Sequence, residues 1–183
     1  CKYSEMTGFS FHPVKSIAAG EGGMITTNNY SIYKKLLRYR SHGINKLDDN
    51  FVNEQNSKTN GLTNPWYYEM QELGYNYRIT DIQCALGLSQ LKKLDKFIER
   101  RKDLVNRYDE AFKAFKNINP IQIEGRDLSS HHLYVVRINY DKIKVSRANI
   151  MNKLKEKGIF SQVHYIPVTS QPYYKARGYI TEN

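Results

Sequence analysis

The stretch GFSFHPVKSIAAGEGGMITTNN, residues 8–29, decides how the rest of the chain is read. Aromatic and β-branched residues surround one lysine, Lys15; Gly20, Glu21, Gly22 and Gly23 follow, then a second apolar run. Residues 8–12 and 23–27 read as two short strands with the glycines turning between them, since glycine reverses a backbone at low steric cost. In this reading Lys15 ends the first strand. A lysine amine attacks a carbonyl when it is neutral, and burial or a neighbouring cation favours that form. Phe9, Phe11, Pro13, Val14 and Ile17 make an apolar collar that would strip water from the amine, and the Ser10 hydroxyl, five residues earlier, could meet a phosphate oxygen. A lysine among apolar residues is more often a side chain snorkelling to water, so these residues alone leave both readings open.

Around this stretch, 183 residues, 40% of them apolar, are enough for a folded domain with its own core. No apolar run approaches the ~20 residues of a membrane helix. The opening CKYSEMTGFS has no basic region followed by an apolar stretch, and so does not read as a signal peptide. Two cysteines, Cys1 and Cys84, are no disulfide framework and fit a reducing cytoplasm. Because the chain starts at Cys1 and enters an apolar segment almost at once, we expect the C-terminal part of a longer protein, a trimmed N-terminus being the alternative. A net charge of +10 with 15 Tyr suits nucleic acid or a smaller polyanion such as a nucleotide diphosphate. We assign the cations chiefly to QLKKLDKFIERRKDLVNR, residues 90–107, where they alternate with Asp95, Glu99 and Asp103 and predict a solvated helix face.

In NNYSIYKKLLRYRSHG, residues 28–43, Asn29 caps a helix with an apolar face of Ile32, Leu36, Leu37 and Tyr39, and Gly43 suits its end. Residues 44–66, rich in Asn and without periodicity, read as a long surface loop. Thr80 and Gln83 form a capping box, opening a helix that runs to about residue 116, either straight or kinked. Its first half is apolar nearly all round and should be buried; its charged second half should lie on a surface. After Pro120 come a strand over 132–140, a helix over 146–158 capped by Ser146 and stopped by Gly158, and a strand over 159–168. His42, His131 and His132 invite a metal reading, but adjacent histidines face opposite sides of a strand and no Cys/His spacing supports zinc, so no metal is expected. Glu21 is assigned no chemistry.

Three blocks carry a resemblance. FSFHPVKSIAAGEGGMITTNN (9–29) closely resembles the cofactor-lysine segment of the DegT-type sugar-nucleotide aminotransferases, fold type I pyridoxal-phosphate enzymes, in which S-F-H-x-x-K carries the cofactor-linked lysine and G-E-G-G the following turn. LGYNYRITDIQCALGLSQLKKLDKFIERR (73–101) resembles the family's G-x-N-x-R segment and the helix after it, and GIFSQVHYIPVTSQPYY (158–174) its H-Y-x-P region. They stand in the family's order and cover nearly the whole chain. The resemblance implies an α/β fold class: the end of a fold type I aminotransferase large domain plus a smaller α+β C-terminal domain. It divides the chain into 1–79, the C-terminal part of the cofactor-binding large domain, 80–117, a long connecting helix, and 118–183, the small domain.

By the same resemblance Lys15 is the catalytic, cofactor-linked residue, Ser10 binds the cofactor, and Asn76 reaches the cofactor phosphate of the neighbouring subunit in a homodimer. Arg78 supports that loop or meets a phosphate. Gln162, His164 and Tyr165 line the sugar-nucleotide pocket; on a strand the first two would share one face and Tyr165 the other, unless the strand ends or bends before Pro167. The implied activity is amination of a UDP-linked 4-keto-6-deoxy sugar with glutamate as donor and pyridoxal 5'-phosphate as cofactor, in pseudaminic acid-like biosynthesis, in the cytoplasm, without nucleic acid or membrane. Relatives also carry an N-terminal region with a Gly-Thr phosphate-binding turn, a stacking aromatic and an Asp on the pyridine nitrogen. None is identifiable here, so the chain is expected to be a fragment, inactive alone. Two alternatives stand beside this: a sugar-nucleotide enzyme of the same fold with another substrate or role, where Lys15 argues against a Lys-free dehydratase, and a basic nucleic-acid-binding domain, for which no basic stripe with stacking aromatics is visible.

Overall fold

The computed structural model describes residues 2–46, 50–121 and 124–179; Cys1 and residues 47–49 of the expected 44–66 loop lie outside these. Two compact units, Cys1–Phe97 and Ile98–Asn183, divide the chain.

The first unit begins with an antiparallel hairpin of β1 (Met6–Ser10) and β2 (Gly23–Thr27), in register from Met6 opposite Thr27 to Ser10 opposite Gly23. Both expected strands are present, but β1 ends five residues before Lys15, because the chain leaves the ladder after Ser10 and turns through Pro13. Helix α1 (Tyr30–Arg40) starts where Asn29 accepts the Ser31 and Ile32 amides, satisfying donors that a helix start leaves orphaned. Its apolar residues Ile32, Leu36, Leu37 and Tyr39 are half-buried. His42 and Gly43, both at positive φ, end it, and the Gly43 amide returns to the Arg38 carbonyl.

The 44–66 region is more built than a loop. It holds β3 (Ile44–Asn45), α2 (Glu54–Ser57), β4 (Lys58–Thr59) and β5 (Leu62–Thr63); β3 pairs with β6 (Glu69–Met70). β4 and β5 are joined by Asn60 and Gly61, both at positive φ, as a two-residue hairpin turn demands. Polar side chains replace a core here: Asn64 donates to the Asn56 carbonyl and accepts from Thr59, while Ser57, fully buried, donates to the Glu54 carbonyl. Phe51 packs edge-on against Tyr67 at 4.9 Å.

The helix expected over 80–116, with a kink allowed, is two helices. Helix α3 (Asp81–Leu91) and helix α4 (Leu94–Phe112) are separated at Lys92 and Lys93, where the Lys93 amide bonds three residues back to Gln90 instead of four. Both halves of the Thr80–Gln83 capping box form. The expected burial of the first half is not found: α3 has no buried residue, and Ile82, Leu86, Leu88 and Leu91 are exposed. Among the described residues nothing covers all sides of that helix, so an all-round apolar sequence stays in contact with water.

In the second unit Val105 on α4 is buried. Tyr108, Phe112 and Tyr134 stack, and Tyr134 donates to Asp109, which also pairs with Arg126 at 2.9 Å. Burial and the Asp109 carboxylate push the Tyr134 phenol up to about 12. β7 (Ile118–Pro120) pairs antiparallel with β8 (Val136–Ile138), so the expected strand over 132–140 shrinks to its centre, with single backbone bonds from Ile121 to Val135 and from Asn139 to Asn117 flanking it. Helix α5 (Tyr140–Ile143) precedes helix α6 (Arg147–Glu156), which begins at Ser146 as expected; Gly158 follows it at positive φ. The strand expected over 159–168 is absent. Those residues pair with no strand among the described residues, and the chain passes Pro167 into a short 3-10 turn and helix α7 (Pro172–Lys175).

Candidate active site

Lys15 sits in a turn whose bond runs from its own amide to the His12 carbonyl at 2.9 Å. Phe11 extends the hairpin by donating to Gly22 and accepting from Ala19, so residues 12–21 form a closed excursion rooted on buried Ala19. Ser10 accepts weakly from the His12 amide at 3.4 Å. The Lys15 side chain is half-buried, and among the described residues its amine has no hydrogen-bond or ion-pair partner. The collar is only half closed: Phe11 and Ile17 are partly covered, while Phe9, Pro13 and Val14 are exposed, because their outer faces meet no other element of the unit.

The glycines after Lys15 have separate reasons. Gly22 lies at φ +139, and a Cβ on it would come within 2.8 Å of the Ile79 side chain. A Cβ on Gly23 would meet the Phe9 carbonyl at 2.8 Å across the hairpin. Glu21 presents its carbonyl to the Gln83 side-chain amide at 2.9 Å. Gln83, the second member of the capping box, thus also ties the start of α3 to the turn after Lys15. Glu21's carboxylate lies 3.9 Å from the His12 ring, with both side chains largely in water.

Asn76 is brought near the end of α1 by a narrow crossing. Tyr75 donates to the Tyr39 carbonyl and accepts from His42, Tyr77 donates to the Arg40 carbonyl, and Ser41 and Asn76 form an antiparallel bridge. Tyr75 and Tyr77 stack face to face at 4.7 Å. Alternation along this extended segment sends the Asn76 side chain the other way, where it is exposed. Arg38 anchors the approach by pairing with Glu72 at 3.1 Å. Arg78 is exposed.

Gln162, His164 and Tyr165 belong to the second unit and are all exposed, with the His164 and Tyr165 rings in contact at 4.2 Å. Ser10, Lys15 and Asn76 therefore lie in the first unit and the other three in the second. His131 and His132 are held from behind, their carbonyls both accepting from Arg101. Among the described residues no three His, Cys, Asp or Glu gather where a metal could bind, and no helix is long and apolar enough to cross a membrane.

Two supports escaped the sequence reading. Gln83's bond to Glu21 spans 62 residues and leaves no local signal. Glu69 accepts from Gln71, the Val52 and Asn53 amides and Tyr67, which together hold its carboxyl down at about 2, the Gln71 bond contributing most. It fastens the 50–64 segment, where Asn60–Gly61 is a turn signal that the loop reading passed over.

The chain is a member of the DegT/DnrJ/EryC1/StrS aminotransferase family, whose profile matches residues 1–183. It is 36% identical over 174 residues to the UDP-4-amino-4,6-dideoxy-N-acetyl-beta-L-altrosamine transaminase of Campylobacter jejuni subsp. jejuni serotype O:2, covering 95% of this chain and 42% of that protein. Among solved structures it superposes on Helicobacter pylori PseC, an aminotransferase involved in the biosynthesis of pseudoaminic acid, with TM-score 0.80 and 30% identity, covering 99% of this chain and 44% of that one. It also matches Spr1654 of Streptococcus pneumoniae in its PLP form, with TM-score 0.75 and 31% identity, covering 96% of this chain and 41% of that one. The chain thus has part of the α/β fold of the fold type I aminotransferases and spans about two fifths of the length of these relatives.

Proposed function

We propose that a protein built on this chain transfers an amino group from glutamate to a UDP-linked 4-keto-6-deoxy sugar, as a homodimer in the cytoplasm, in pseudaminic acid-like amino-sugar biosynthesis. The observation that carries the reading is the half-buried Lys15 amine, which has no partner among the described residues and stands on a turn with Ser10 at its root. This donor set fits pyridoxal phosphate: a free amine suits an aldehyde, and a hydroxyl suits a phosphate oxygen. When bound, that cofactor supplies an electrophilic carbon and an electron-accepting ring.

The chain's own residues then have distinct tasks. Lys15 Nζ would hold the cofactor and would accept and return a proton at the substrate carbon. Ser10 holds phosphate. Asn76, exposed and aimed away from the Tyr75–Tyr77 stack, serves the phosphate in the neighbouring subunit, while Gln162, His164 and Tyr165 line the sugar-nucleotide pocket. In this assignment residues 1–79 complete the cofactor-binding domain, 80–117 connect, and 118–183 form the small domain. The test is 2-oxoglutarate formation from glutamate by full-length protein supplied with UDP-4-keto sugars. Lys15→Ala and Lys15→Arg should both abolish it with the fold intact, since a guanidinium stays protonated. Retention of more than a few per cent of activity in Lys15→Ala refutes the assignment.

A further inference from the structure

The excess of positive charge extends beyond residues 90–107, which hold seven Lys and Arg against three Asp and Glu. Helix α4 carries five Lys and Arg against five Asp and Glu, a net charge of zero. Residues 137–178 carry nine Lys and Arg against two Asp and Glu, so +7 of the chain's +10 lies in that segment. Three of the five acids on α4 are in ion pairs, Asp103 with Arg100, Asp109 with Arg126 and Glu110 with Lys113. The cations of the later segment are not: among the described residues Lys142, Lys144, Lys153, Lys155, Lys157 and Lys175 form no ion pair, and all six are exposed. Helix α6 shows the division, with Ile150, Met151 and Leu154 half-buried and Lys153, Lys155 and Lys157 in water. The helix dipole favours Lys153 and Lys155 in the last turn, but it gives no reason for the lack of acids beyond. Between Glu156 and Glu182 the sequence has no carboxylate, and this is the stretch that presents Gln162, His164 and Tyr165.

We propose that the α5–α7 segment is an electrostatic collector, its uncompensated cations speeding the arrival of a diphosphate-bearing nucleotide at the exposed Gln162–Tyr165 stretch. This rests on the functional reading above. One-signed surfaces raise the local concentration and the association rate of an opposite charge by 10-fold to 1,000-fold, with steep salt dependence. An apolar-faced helix lying on a membrane is disfavoured, because the apolar residues of α6 are already half-buried in the fold.

The test uses full-length protein and UDP as the probe, with association followed by stopped-flow across increasing NaCl. The unmutated protein should bind UDP with a rate that falls steeply with salt. The triple variant Lys153→Gln, Lys155→Gln, Lys157→Gln should associate about threefold to tenfold more slowly at low salt, with a shallower salt slope and unchanged dissociation rate and kcat. The triple Lys→Arg variant should behave as the unmutated protein. Equal rates and salt slopes in the Gln variant and the unmutated protein overturn the collector while leaving the functional reading standing. No UDP binding by the unmutated protein overturns both.

Discussion

Gly74→Ala tests the crossing that carries Asn76. A Cβ at this position would lie 2.0 Å from the Gly43 amide nitrogen, 2.5 Å from the His42 carbonyl carbon and 2.8 Å from the Gly43 Cα. All three are backbone atoms, so no rotamer change relieves the overlap. Unbonded carbons rest about 3.5–4.0 Å apart, so the two segments must separate by more than about 1 Å. That parting strains the bonds from Tyr75 to Tyr39 and from His42 to Tyr75, of 2.7 and 2.8 Å. At about 1 kcal/mol for each bond and 1–3 kcal/mol for the overpacking, the loss is about 3 kcal/mol or more. Urea unfolding should show a lower midpoint at constant slope. Gly8→Ala is the control, since a Cβ there meets nothing within 4 Å, and it should change stability by no more than about 0.5 kcal/mol. If Gly74→Ala unfolds at the same urea concentration as Gly8→Ala, the crossing is not the close contact described.

Glu69 has its carboxyl lowered from 4.5 to about 2 by Gln71 and the Val52 amide, so its contribution is complete above pH 4.5 and lost as pH falls toward 2. Amide protection across 50–64 should follow that window in the unmutated protein and be independent of pH there in Glu69→Gln; identical profiles would show that the carboxylate does not fasten the segment. Gln83→Ala removes half of the capping box and the tether to Glu21, and should cost about 1 kcal/mol in unfolding stability while raising hydrogen exchange in residues 20–23. An unchanged exchange rate there would refute the tether. Verified heterodimers of Lys15→Ala and Asn76→Ala subunits should regain activity, because one of their two sites keeps both residues; no recovery, with Asn76→Ala inactive alone, counts against shared sites.

Local chemistry was legible wherever a side chain acts on its own backbone. Asn29, Thr80 and Ser146 each cap the helix expected of them, and the hairpin around the glycines forms in place. What depends on a distant partner was not legible. Alternation over 159–168 predicted a strand, but a strand exists only where another pairs with it. Apolar residues around all of α3 predicted burial, but burial needs an element to supply it. Lys92 and Lys93 break a helix whose spacing ran through them, since periodicity does not register a single hydrogen bond shifted by one residue. At the candidate site the motifs nominated Lys15, Ser10 and Asn76, whereas the Gln83 tether and the Arg38–Glu72 anchor came only from the structure.

The Asn-rich 50–64 segment has one more consequence. It is held by Asn53, Asn64, Ser57 and Glu69 acting on backbone, with Phe51 as its one buried apolar residue among those described. The heat capacity released on exposing a segment follows the apolar surface it uncovers, while polar surface acts with opposite sign. Opening of this segment should therefore carry almost no heat-capacity increment, and its free energy should vary nearly linearly with temperature. An apolar core weakens on cooling, so this segment should keep its order in the cold, where the packing of the aromatic cluster on α4 loosens first.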